Sequence, residues 1–280
     1  MWLLLNSSEA ADYDPAIQCN SCEEWNAPQT PFPLSANTWY VGVKGLSSVL
    51  ISTEDGLLLL DGGLPQSAEL IENNLRQLGF RIEDVRFIAT SHAHYDHVGG
   101  VSALQRHSGA VVLASPAAAA ALRTGGPLPD DPQYGLSEMG FPAVSNVREV
   151  ADGEVVRLGG VAVTAQHTPG HTPGGTSWTW QTCQAGTCID LVYADSLNPV
   201  SDDTYRFSEG MDRILEGSIG RIRRLPCDLL VPVHPDFSNS DPTEKLAPDQ
   251  NPFANSGACR AYAATAQARL KRRLKDERSR

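Results

Sequence analysis

Three short apolar runs follow one another early in the chain, NTWYVGV, SSVLIST and GLLLLDGG, each of strand length. The Glu-Asp-Gly between the second and third marks a hairpin turn. The period then changes: Ala68, Ile71, Leu75 and Leu78 recur at helical spacing, and Gly79 ends the run. Val85 to Ala89 reads as another strand, followed by a helix through Leu104 and His107; AVVLAS and PAAAAALR add one more strand and helix. Residues 124–146, TGGPLPDDPQYGLSEMGFPAVSN, have no sustained period, and so long a loop in a compact domain is functional or disordered. Strand signals resume at EVVRL, GVAVTAQ, TSWTWQT and IDLVYA, before a helix around Ile214 to Leu225 and the strand DLLVPV. In the closing helix Cys259, Tyr262, Ala263, Ala266, Leu270 and Leu274 share one face.

This order predicts an α+β fold in which two β-rich halves pack sheet on sheet with helices outside. No linker separates the halves, so residues 35–280 read as a single domain behind a Pro-rich, partly flexible leader, residues 1–34. At 280 residues and 41% apolar the chain can enclose a substantial core. A formal charge of −11 argues against a nucleic acid or an anionic membrane as the main partner. No apolar run approaches a membrane span, and MWLLLNSSEA reads either as the stump of a signal peptide or as a plain leader.

Six cysteines inform by position. Cys183 and Cys188 bracket QAGT between two β-rich stretches; Cys227 precedes DLLVPV, and Cys259 opens the last helix. Position suggests disulfides for these two pairs, though sequence alone does not fix the pairing. They imply an oxidising compartment, so a periplasmic or secreted protein is expected. Cys19 and Cys22 form the one CxxC, too few for a four-cysteine zinc site, and their state is left open.

The candidate chemistry is concentrated in TSHAHYDHVGG. Residues two apart on a strand share a face, so His92 and His94 are expected to reach one metal as the strand ends. Asp96 and His97 fall where the chain turns into a helix and can serve a second metal nearby. Imidazoles with a carboxylate suit zinc, and a tetrahedral ion needs further ligands from afar. His107, near a helix end, is expected at the surface. His234 follows DLLVPV at a strand's end, a common place for a site residue. In QHTPGHTPGG, His171 sits on the turn and is the preferred ligand, with His167 the packed alternative.

Taken together, SHAHYDH, LLLLDGG, TPGHTPGG, YADS and PVHP resemble the metallo-β-lactamase superfamily over roughly residues 35–275. GGTSWTW, ADSLNPVS followed by YRFS, and the cysteine positions resemble its subclass B3, especially the disulfide-containing members. The resemblance implies a four-layer αββα sandwich, two mixed sheets face to face with helices outside. It also implies two Zn2+ per chain, the first held by His92, His94 and His171, the second by Asp96, His97 and His234. Asp96 would also be catalytic, accepting a hydrogen bond from a hydroxide shared by the metals. Asp61 and Asp195 would stand behind the ligands. Ser196, Asn198, Gln133 and Tyr134 would contact substrate, although many relatives carry Ser or Thr where this chain has Asn198.

The implied activity is hydrolysis of the β-lactam amide of penicillins, cephalosporins and carbapenems without an acyl-enzyme, conferring resistance. No GxSxG or SxxK set suggests a serine nucleophile. The partner is then a small β-lactam, with no nucleic acid, no membrane insertion and a monomeric chain. The rival is a glyoxalase II-like thioesterase or a lactonase of the same superfamily, marked by Asp195 bridging both metals. A binding module with closed structural metal sites is the non-catalytic reading.

Overall fold

The structure is a computed structural model and describes residues 12–136, 140–184, 186–237 and 253–279; MWLLLNSSEA and segment 238–252 lie outside the described residues. A short helix, α1 (Cys22–Trp25), precedes a seven-stranded sheet. Its strands lie in chain order: β1 (Phe32–Ser35), β2 (Thr38–Tyr40), β3 (Val49–Thr53), β4 (Gly56–Leu60), β5 (Val85–Ala89), β6 (Val111–Ala114) and β7 (Val147–Glu149). Pairings from β1 to β4 are antiparallel, and those from β4 to β7 are parallel. The parallel half needs crossovers. They are α2 (Ser67–Gln77), then α3 (Tyr95–Val98) with α4 (Val101–Ser108), then α5 (Pro116–Thr124).

The second sheet contains β8 (Val155–Leu158), β9 (Val161–His167), β10 (Thr176–Gln184), β11 (Thr187–Ala194) and β12 (Leu229–Pro232), in spatial order β12-β11-β10-β9-β8. Only β11 and β12 are parallel, and α6 (Met211–Arg224) makes that crossover. Helix α7 (Ala258–Arg278) closes the described chain.

Both sheets are mixed and each is buried on both faces. Leu58 and Leu60 of β4 face inward with Tyr40 and Ile51, meeting Trp178, Trp180, Tyr193 and Val231 of the second sheet. Leu57 and Leu59 face outward against Ile71, Leu75, Leu104 and Leu122 of the first helical layer. On the far side Val192, Ala194 and Leu230 meet Leu215, Ile219, Ile222, Tyr262 and Leu270. Two-sided burial is the physical reason β4 reads as an unbroken leucine run rather than an alternation. The result is the αββα sandwich.

Some boundaries differ from the sequence pattern. Of NTWYVGV only Thr38–Tyr40 is strand; beyond it the chain loops back, closed by Val43 N to Leu46 O (3.0 Å) and by Tyr40 OH to Val43 O (2.7 Å). The boundary expected at residue 34 falls inside β1. Two short edge strands, β1 and β7, carry no run long enough to announce them. Disulfides join Cys183 to Cys188, directly paired across the β10–β11 hairpin, and Cys227 to Cys259; a third joins Cys19 to Cys22.

Candidate metal centre

The site lies at one edge of the sandwich, where β5 releases the chain. Strand β5 ends at Ala89, so His92 and His94 come from a loop and not from strand alternation, as the sequence pattern suggested. Asp61, just beyond β4, pins that loop. It is fully buried with φ +55°, a conformation a non-glycine residue adopts at a cost, here offset by what it binds. Its carboxylate accepts from Ser91 N (2.7 Å), Ser91 Oγ (2.6 Å) and Tyr193 OH (2.9 Å). The second sheet adds Trp178 Nε1 donating to Thr90 O (3.0 Å) and Thr176 N donating to Ser91 O (2.7 Å). His94 stays extended (φ −109°, ψ 152°) and α3 then carries Asp96 and His97. Gly99 has no room for a side chain: a Cβ there would lie 2.4 Å from Pro65 Cδ.

Four of the five imidazoles hold one ring nitrogen against an outer acceptor. His92 Nδ1 is 2.8 Å from Asp195 Oδ1, His94 Nε2 3.1 Å from Asp131 Oδ2, His171 Nδ1 2.7 Å from Asn198 O, and His234 Nδ1 3.2 Å from Gly45 O. His97 Nδ1 has only a longer ionic approach to Asp61 Oδ2, 3.7 Å. Such partners set the tautomer and aim the other nitrogen at a metal.

Those other nitrogens converge. His92, His94 and His171 each bring one ligand atom to within 4.8 Å of the other two. Beside them, Asp96 Oδ2 is 3.3 Å from Nε2 of both His97 and His234, which are 3.2 Å from each other. Ligands about 2.05 Å from a tetrahedral zinc stand about 3.3 Å apart, so this second triad has the spacing of a zinc shell. His92 Nε2 is buried without a hydrogen-bond partner, an arrangement a metal would satisfy. Both triads therefore fit zinc.

Charge agrees with that fit. Burial, then His97, His171 and His94, hold His92 well below the usual imidazole range. Burial and His94 push His171 down to about 3, so both rings are neutral and able to ligate. Burial would raise Asp96, yet His97 and His234 hold its carboxyl well below the usual carboxylate range. Burial lifts Asp195 far above that range, with Asp61 adding to it.

Asp195 spends its oxygens away from the second triad: Oδ1 on His92, and Oδ2 within 3.5 Å of Thr168 Oγ1. Gly175 exists to admit it, since a Cβ there would come 2.3 Å from Asp195 Oδ2.

The triads open into a cavity of about 510 Å³ lined by His94, Asp96, Gln133, His171, Ser196 and Asn198, among others. Gln133 Nε2 lies 3.5 Å from His171 Nε2. Tyr134 does not join it. The Asp131–Leu136 segment turns tightly (Tyr134 N to Asp131 O, 3.0 Å), leaving Tyr134 53% exposed, while Leu136 lines the cavity. His107 is not the surface residue expected; its Nδ1 pairs with buried Glu72 and its ring packs edge-on to Tyr13. His167 stays on β9, its Nε2 3.2 Å from Val150 O. Asp131 and Gly45, unremarked in the sequence, hold ligand rings. A carboxylate in an aperiodic loop and a backbone carbonyl leave no local pattern to read.

Residues 41–234 match the metallo-beta-lactamase superfamily. The chain superposes on a subclass B3 metallo-beta-lactamase isolated from a soil metagenome library with a TM-score of 0.86 and 46% identity, covering 91% of this chain and 99% of that one. With the Rm3 metallo-beta-lactamase the TM-score is 0.88 and the identity 46%, over 94% of this chain and 100% of the other. An N-acyl homoserine lactonase from a Bacillus species is 27% identical over 199 residues, 63% of this chain and 74% of that protein.

Proposed function

The chain belongs to the metallo-beta-lactamase superfamily, and from that premise we propose that it is a subclass B3-like dizinc β-lactamase cleaving the amide of penicillins, cephalosporins and carbapenems. His92, His94 and His171 would hold one zinc, and Asp96, His97 and His234 the other. When bound, the ions supply Lewis acidity and a water acid enough to ionise near neutral pH. Three protein ligands per ion leave a position open, as catalytic sites do and structural ones do not.

The chain's own residues do the rest. Asp96, held ionised, can accept a hydrogen bond at its carboxylate and so orient the donor toward the substrate. The cavity lining contains no Lys or Arg among the described residues. An antibiotic's carboxylate would therefore be received by neutral donors, the Ser196 hydroxyl and the side-chain amides of Asn198 and Gln133. Three disulfides support action in the periplasm or outside the cell.

The observation that carries the reading is Asp195. A thioesterase or lactonase of this superfamily would need that carboxylate between the metals, whereas here it braces His92 from behind at 2.8 Å. Identity points the same way, 46% to the metagenomic β-lactamase against 27% to the Bacillus lactonase. The test is zinc stoichiometry alongside hydrolysis of a chromogenic cephalosporin, an N-acyl homoserine lactone and a glutathione thioester. Two zincs and rapid cephalosporin turnover, abolished in His92→Ala and His171→Ala, are expected. Fast lactone or thioester cleavage with an inert cephalosporin would overturn the assignment.

A further inference from the structure

One wall of the cavity comes from the leader, where Ile17, Cys19 and Trp25 line it. This wall is tightly held. Ile17 exchanges two hydrogen bonds with the Gln66 side chain, N to Oε1 at 3.2 Å and Nε2 to O at 2.9 Å. Cys22 is 4% exposed and packs with Val43, Leu46 and Leu64, and its bridge to Cys19 closes the segment onto α1.

Helix α1 ends on Trp25, and Trp25 meets the second triad twice. Its carbonyl accepts from Gly45 N at 3.0 Å, and the Gly45 carbonyl in turn receives His234 Nδ1 at 3.2 Å. Its indole lies 5.2 Å, centroid to centroid, from the His234 ring, which also touches Phe237 at 4.9 Å. The approach is close enough to require glycine: a Cβ on Gly45 would fall 2.6 Å from Trp25 Cδ1.

The two triads differ in how they are braced. Behind the first stand Asp195, Asp131 and the Asn198 carbonyl, none of which belongs to the leader. Behind the second, His97 Nδ1 has no hydrogen bond, only Asp61 Oδ2 at 3.7 Å, and His234 has one carbonyl at 3.2 Å. The second triad therefore depends on packing around His234.

We infer that Trp25 is a positioning residue for His234, so that the leader, clipped by Cys19–Cys22, sets the affinity of the second metal site and leaves the first unchanged. The inference rests on the two-metal reading above. Outer partners of metal ligands are worth roughly 10–100-fold in affinity, and that range sets the expected effect.

The experiment titrates metal-stripped, folded protein with Zn2+ against a chromophoric chelator, and with Co2+ followed by its visible absorption. His234→Ala identifies which binding phase belongs to the second site. In Trp25→Ala that phase should weaken roughly 10–100-fold and the other stay in place. Trp25→Phe, which keeps a ring, should recover most of the loss. Cys19→Ser with Cys22→Ser should weaken the same phase by a smaller factor, and it carries the test should Trp25→Ala fail to fold. An unchanged second phase, or equal weakening of both, would overturn the inference. Wild-type protein binding a single zinc would remove its premise and so overturn it too. Wild-type protein that binds two zincs and spares every β-lactam would sink the proposed activity and leave this result standing.

Discussion

At the scale of single residues, the candidate site is a set of imidazoles each held from behind, and Asp195 shows what that holding does. It is fully buried and its one close partner in the triad is His92. Asp195→Ala should leave His92 free to rotate and weaken Zn2+ binding at its triad roughly 10–100-fold, measured by chelator competition. Affinity equal to wild type would mean the loop alone aims the ring. The six donors named from the sequence are all brought together, but one part of the reasoning differs. Strand alternation was to pair His92 with His94, whereas β5 has already ended and Asp61, through Ser91, folds the loop. Asp61 was legible only through the family resemblance that LLLLDGG carries. Asp131, which holds His94 from 37 positions away, was not, because it sits in an aperiodic loop with no local pattern around it.

At the scale of elements, periodicity located the helices and the strands set in apolar runs, and missed β1 and β7, which stand in none. Helix α2 and strand β5 lie where the spacing put them, while β1 and β7, of 4 and 3 residues, had too few positions to show a period. Helix α7 was visible by its apolar face, but its last turn holds a polar clasp that no period reveals. Glu277 accepts from Phe207 N (2.9 Å), Ser208 N (3.0 Å) and Arg273 Nε (2.7 Å). Burial alone would raise its carboxyl, but Arg273, Ser208 and Phe207 together bring it down to about 2 from 4.5. A depressed carboxylate stabilises the fold fully above its unfolded pKa, and that contribution fades as pH falls from 4.5 toward 2. Discounted for solvent screening, the shift corresponds to about 1–2 kcal/mol. Glu277→Gln should therefore be less stable than wild type by about that amount at pH 7, with the gap closing between pH 4.5 and 2 in denaturant titrations. A gap independent of pH would assign the loss to packing instead of charge.

At the scale of the whole molecule, the donors come from both halves of the sandwich. His92, His94, Asp96 and His97 follow the first sheet's β5, His171 follows β9, and His234 follows β12. An ion held by either triad would therefore cross-link the two sheets as well as serve as a reagent. A ligand that binds only the native state adds RT ln(1 + [L]/Kd) to stability, about 4 kcal/mol per site at a thousandfold excess over Kd. For a chain of this size about 1 kcal/mol moves the melting temperature roughly 2–4 °C. Stripping both ions with a chelator should then lower the melting temperature by at least about 10 °C, and added zinc should restore it. His234→Ala should show roughly half of that zinc-dependent shift, because one triad remains. A melting temperature indifferent to complete metal removal would mean that core packing and hydrogen bonds already hold the two sheets in register around this site.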